Sequence, residues 1–118
     1  MQIQVKRIYE EPSDDDGQRI LVDRLWPRGV SKEKAALTLW LKDIAPSNEL
    51  RQWFHHDAAQ FEEFERRYRK ELEANPEAVQ QLRDIIAKGK TTLLYAAHDE
   101  EHNQARFLAG YMVENKGK

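Results

Sequence analysis

The sequence predicts a small three-layer α/β domain with a mainly parallel sheet of about four strands, spanning residues 1–118 as one domain. Two observations predict it. Short aliphatic or alternating runs are separated by segments whose apolar residues recur every three or four positions, and the boundaries between them carry capping or turn residues. The resulting order is β-β-α-β-α-α-α-β-α, in which helical crossovers favour parallel strands with helices on both faces.

Each element has its own signal. Gln2, Ile3, Gln4 and Val5 alternate as in a half-buried strand. Ser13-Asp14-Asp15-Asp16-Gly17 reads as a turn, because short acidic side chains compete with the backbone and glycine permits positive φ. Ile20-Leu21-Val22 is continuous and aliphatic, as in a strand covered on both faces. Pro27 and Gly29 break regular structure and leave Asp23, Arg24, Trp26 and Arg28 on a loop. Ser31 is the cap of a short helix reaching Ala36, and Leu37, Leu39 and Leu41 alternate as a third strand. Ser47 opens a helix carrying Leu50, Trp53 and Phe54 and ending near His55. Asp57 and Gln60 resemble a capping box before the stripe Phe61, Phe64, Tyr68 and Leu72. Asn75 and Pro76 start the next helix, with Val79 and Leu82 on its buried face and Gly89 as its stop. Thr91 to Ala97 is the last strand, and Asp99 is expected to cap a final helix with Glu100 and Glu101 in its first turn.

Composition bounds the function. With 118 residues, 40% hydrophobic and 34% charged, the chain can bury one modest core beneath a heavily solvated surface. A net charge of −2 gives no global attraction to nucleic acid or anionic lipid, and there is neither a winged-helix pattern nor a basic recognition helix. The absence of cysteine removes disulfides, thiolate metal sites and cysteine nucleophiles together. The strand-like, charged start is unlike a secretory signal, and no run approaches the roughly 18 apolar residues of a membrane span, so a cytoplasmic location is expected. No glycine-rich phosphate loop is present, and no cofactor is predicted.

Ligands of parallel sheets sit beyond the carboxyl ends of the strands, where the loops at 23–29, 42–47 and 98–103 gather. Arg24, Arg28, Lys42 and Arg51, with the helix start at Ser47, offer guanidinium forks and free amides to a phosphate or carboxylate. The same cations also match Asp23, Asp43 and Asp57 as loop-fixing ion pairs. His56 beside Asp57, facing His102 and Asn103, has the make-up of an acid–base pair, although a cap accounts equally for Asp57. His98 and His102 have the spacing of a zinc-binding His-Glu-x-x-His, but Asp99 replaces the glutamate and no third ligand is evident, so no metal is predicted. Serine catalysis is not supported, because Ser13, Ser31 and Ser47 all fit turns or caps. Trp26, Trp40 and Trp53 have rings that can stack on a base, but such tryptophans are more often core, which is the reading for Trp40, and Trp26 is the leading exception. The expected ligand is therefore a small anionic metabolite, held by Arg24, Arg28, Lys42 and Arg51. His56, Asp57, Tyr95 and Asp99 would orient it or exchange protons, with Asp23, Trp26, His102 and Asn103 nearby. The alternative is a non-enzymatic interaction module whose polar loops form a salt-bridge network.

Four blocks carry a resemblance over nearly the whole chain: Asp-Arg-Leu-Trp-Pro-Arg-Gly at 23–29, Leu-Lys-Asp-Ile-Ala-Pro-Ser at 41–47, Trp-Phe-His-His-Asp at 53–57 and Tyr-Ala-Ala-His-Asp-Glu-Glu-His-Asn-Gln-Ala at 95–105. In these the chain resembles the YeaO-like bacterial proteins, a domain family of unknown function. The resemblance implies a Rossmann-like α/β fold and no particular activity. The chain departs from the family pattern at His55 and His98, where relatives often have glycine and lysine.

Overall fold

Four strands form one all-parallel sheet in the order β1-β4-β2-β3, with β1 at Ile3–Arg7, β2 at Gln18–Leu21, β3 at Leu39–Trp40 and β4 at Thr91–Tyr95. The computed structural model describes residues 2–114. Val5 and Ile20 both lie opposite Leu93, and Ile20 lies opposite Leu39. The continuous apolar strands β2 and β4 therefore take the centre of the sheet, while alternating β1 lies at one edge. The third strand is shorter than the alternation of Leu37, Leu39 and Leu41 predicts. Thr38 N–H donates to Arg19 C=O and Leu41 N–H to Leu21 C=O at either end of it.

The two faces are covered unequally, which completes a three-layer, Rossmann-like arrangement. Ile20, Leu93 and Tyr95 point into a large core with α2 (Asn48–Phe54), α3 (Phe61–Glu73), α4 (Pro76–Lys88) and α5 (Gln104–Glu114). Leu82, Leu93, Leu108 and Met112 are fully buried there. Leu21 and Leu94 point the other way, into a small cluster with Ile8 and with Ala35 of the single-turn helix α1 (Lys32–Ala35). Beside that cluster the same face turns ionic. Asp16, 1% exposed, accepts from Lys6 Nζ at 3.0 Å and from Arg19 Nη1 at 2.5 Å, and Arg19 also donates to the Ala35 carbonyl. Burial alone would raise the Asp16 pKa, but Ser13 N–H, Lys6 and Arg19 together hold it below its ordinary value. The sequence marks Asp16 only as a turn acid. Its burial follows from the way the turn folds beneath the sheet.

Serine caps behave as their chemistry requires. Ser31 Oγ accepts from Lys34 N–H and Ser47 Oγ from Leu50 N–H. Asp57 caps a short 3-10 turn, accepting from Ala59 N–H, and α3 follows directly. Two starts differ from expectation. Asn75 precedes α4 but makes no side-chain capping bond, and its Nδ2 donates to the Asp43 carbonyl. The last helix begins at Gln104 rather than after Asp99. Asp99 instead closes a turn, accepting from Glu101 and His102 N–H, while buried Asn103 accepts from Arg106 N–H as the effective cap. Asp and Asn are both good caps, and only Asn103 is placed to be buried beneath the helix it starts.

The connections after the two central strands depart to opposite faces. The chain leaving β2 reaches α1 and the small cluster, whereas the chain leaving β4 reaches α5 and the large core. Adjacent parallel strands that part in this way open a crevice at their carboxyl ends, the usual ligand position in such sheets.

Candidate functional site

A cleft of about 590 Å³ occupies that crevice, within the span of roughly 300–1,000 Å³ common for small-molecule sites. Asp23, Arg24, Trp26 and Arg28 reach it from the loop after β2, and Ala96, Ala97, His98 and Asp99 from the loop after β4. Arg51, Phe54 and His56 enter from α2 and its end, Phe64 from α3, and Gln104 from the first turn of α5. Tyr9 and Pro46 complete its rim.

Asp23 bridges the switch point. Its Oδ2 accepts from Ala96 N–H at 3.0 Å, and Gln104 Nε2 donates to its Oδ1. The Asp23 backbone carbonyl also accepts from Trp40 Nε1 at 2.7 Å, which fixes the end of β2 to the indole. Burial pushes the Asp23 pKa up to about 6, even though the Ala96 amide, Gln104 and the Arg51 charge all oppose that rise. Asp99 differs. Held by Glu101 N–H, His102 N–H and His102 Nδ1, its carboxyl stays below the ordinary value.

The arginines divide by their engagement. Arg24 donates from Nε to Pro46 C=O and from Nη2 to Ala45 C=O, at 2.9 and 3.0 Å, and so fastens the loop after β3 to the loop after β2. Arg28 is exposed and makes no side-chain bond among the described residues, while its carbonyl accepts from Tyr9 Oη. Arg51 has one weak bond, from Nη2 to Asn48 Oδ1 at 3.3 Å, and its Nε is buried with no acceptor. His56 is held neutral more readily than a free imidazole, chiefly by burial and then by the His55 and Arg51 charges, with Asp99 opposing. Both His55 and His56 sit at positive φ, 49° and 55°, where the chain reverses out of α2.

Seven of the residues singled out from sequence therefore line one cleft: Asp23, Arg24, Trp26, Arg28, Arg51, His56 and Asp99. Six lie outside it. Lys42 extends over the Trp40 ring, 5.0 Å from its centroid. Ser47 donates from N and Oγ to Glu71 of α3, so a carboxylate of the chain itself occupies the helix start expected to receive an external anion. Asp57 is an exposed cap, and Tyr95 is buried on the core side of β4. His102 bonds Asp99 and rests edge-on against Phe61, and Asn103 is buried as a cap. The acid–imidazole group expected from His56, Asp57, His102 and Asn103 is thus not assembled. Trp26 packs edge-to-face on Trp40 at 5.4 Å and donates to Val30 C=O, which ties it to the small cluster. Among the described residues, no three His, Cys, Asp or Glu side chains come together as a metal site.

Sequence reasoning missed Gln104, Phe54 and Phe64 as site residues, together with Arg7. Arg7 donates from Nε to Ala97 C=O at 2.8 Å and from Nη2 to Ala96 C=O at 3.2 Å, steadying the loop that carries the Asp23 partner. The missing signal was the pairing of β1 with β4, which sets Arg7 beside Tyr95 and which no local pattern encodes.

Comparison with known proteins adds the family. The chain is 44% identical over 112 residues to the uncharacterised protein YeaO of Escherichia coli K12, covering 95% of this chain and 97% of that one. It is 41% identical over 107 residues to uncharacterised proteins of Mycobacterium tuberculosis and Mycobacterium bovis, covering 91% of this chain and 90% of theirs. No solved structure gives a significant match. Among the described residues, no helix is long and apolar enough to cross a membrane. The family model described as "Inactive DUF488-N3 subclade" matches residues 2–117, and with these relatives it makes the chain a member of that subclade and of the YeaO-like proteins.

Proposed function

We propose that the cleft at the carboxyl ends of β2 and β4 binds a small anionic metabolite and does not transform it. The observation that carries this reading is Arg51, whose Nε is buried without an acceptor in a cleft that also holds the unpaired Arg28. A buried donor left unsatisfied costs about 1–3 kcal/mol, and an incoming phosphate or carboxylate oxygen removes that cost while matching the guanidinium fork. Binding without chemistry is supported by the word "inactive" in the family description.

A salt-bridge network is the second reading, and Arg24 favours it, because its guanidinium is spent on two loop carbonyls. That reading leaves Arg28 and Arg51 without a task. A thermal-shift screen of inorganic phosphate, sulfate and small mono- and dicarboxylates separates the two. Binding predicts stabilisation of about 2.7 kcal/mol at a hundredfold excess over Kd, lost in Arg51→Ala and reduced in Arg28→Ala. If no anion stabilises the chain, or the shift survives both substitutions, the anion site is wrong.

A further inference from the structure

Opposite charges face one another across this cleft without being bridged. Arg51 is close enough to Asp23 to bias its ionisation, yet the two form no ion pair. Each is held back by other partners: Asp23 by the Ala96 amide and Gln104, Arg51 by Asn48. A carboxylate has about four lone-pair sites, and these two donors leave Asp23 with acceptor capacity to spare. Asp99 is by contrast already engaged by three donors, two backbone amides and the His102 ring. The same cleft is also lined by the apolar side chains Phe54 and Phe64.

We propose that the ligand of this cleft is a small zwitterion, an anionic group on an aliphatic stem that also bears a primary amine, with the anion on Arg28 and Arg51 and the ammonium on the Asp23 carboxylate. Such a molecule satisfies the orphaned Arg51 Nε and gives Asp23 a cationic partner that none of the described residues supplies. The stem would lie on the two phenylalanine rings. This rests on the anion-binding reading above and adds the second charge. It also sets the sign of proton exchange. Asp23 is faced by Arg24 on its own loop, Arg51 from α2, Tyr68 from α3 and Gln104 from α5, and the same cleft holds His56, His98 and Asp99. An ammonium placed on Asp23 favours its ionised form, so binding near pH 6 releases protons, whereas an anion alone favours the protonated form and takes them up.

Calorimetric titration of matched pairs tests this: glycine against acetate, β-alanine against propionate, γ-aminobutyrate against butyrate, 6-aminohexanoate against hexanoate, and 2-aminoethanesulfonate against ethanesulfonate. For at least one stem length the aminated member is expected to bind ten-fold tighter or more. Asp23→Asn should abolish that preference while leaving the amine-free partner bound at least as well. Titrations of the unaltered chain at pH 6, in buffers of different ionisation enthalpy, should show proton release for the aminated member alone, which decides the matter even if Asp23→Asn does not fold. If amine-free acids bind through Arg51 and the amine adds nothing, or its advantage survives Asp23→Asn, the zwitterion is wrong and the anion site stands. If neither series binds, both readings fall.

Discussion

At the scale of single residues, Asp23 is a carboxyl whose ionisation the fold opposes. Its carboxyl is half-buried at the end of β2, with neutral donors around it and no ion pair, so the charged form is disfavoured and the pKa stands near 6. Because the folded value exceeds the ordinary 3.8, the folded state binds the extra proton between about pH 4 and 6. Stability is therefore fully present below the unfolded value and is lost as pH rises through the folded one. Asp23→Asn is expected to flatten this dependence and to raise stability at pH 7.5 by about 1–3 kcal/mol, read from urea unfolding at several pH values. The paired histidines offer a second check. His55 ends α2 in the left-handed region, where a Cβ is penalised, and His55→Gly should raise stability by about 0.5–1 kcal/mol. Neither effect is fixed by local pattern, since the sequence offers Asp23 as a loop acid or ion-pair partner and His55 as a helix end that departs from the family pattern. Desolvation and backbone sign arise from how the loops close over one another.

At the scale of elements, several starts and stops are written locally. Ser31, Ser47 and Gly89 act through their own hydroxyls or backbone freedom, so neighbouring residues suffice to identify them. The last helix starts later than expected because Asp99 and Asn103, four residues apart, are chemically alike as caps, and burial chooses between them. Asn103→Ala should thus destabilise the chain by about 1–2 kcal/mol, with Asp99→Ala costing less, compared by thermal unfolding. The turn into β2 carries a tighter constraint. Gly17 has φ of 64°, and a Cβ there would collide with the Lys90 carbonyl, which accepts from Gln18 N–H as β2 docks beside β4. Gly17→Ala should cost about 2 kcal/mol or more in denaturant unfolding, through positive φ and the clash together. A loss below about 0.5 kcal/mol would show that the turn yields freely.

At the scale of the whole molecule, the sheet order β1-β4-β2-β3 determines the site. Inserting β4 between β1 and β2 brings residues 23–28 and 96–99 to one crevice and sets Arg7 to brace it. The class of fold was legible because period and capping recur along the chain. Strand order was not, because it depends on which apolar surfaces meet once the helices pack. The same ionic economy continues beneath the sheet, where Asp16 neutralises Lys6 and Arg19 in burial. Asp16→Asn should cost about 3–5 kcal/mol, since it leaves a buried guanidinium unpaired, while the cleft on the far side of the molecule's loops is unaltered in composition.

The central claim is that an anion settles on Arg51 in the crevice between β2 and β4. Its most direct test is a nuclear magnetic resonance titration of the isotope-labelled chain with ethanesulfonate, following the Arg51 Nε–H and the backbone amides. The account predicts saturable shifts at Arg51 Nε–H, residues 23–28 and residues 96–99, abolished by Arg51→Ala. Saturable shifts centred elsewhere, or a cleft that stays silent at every concentration, would contradict it.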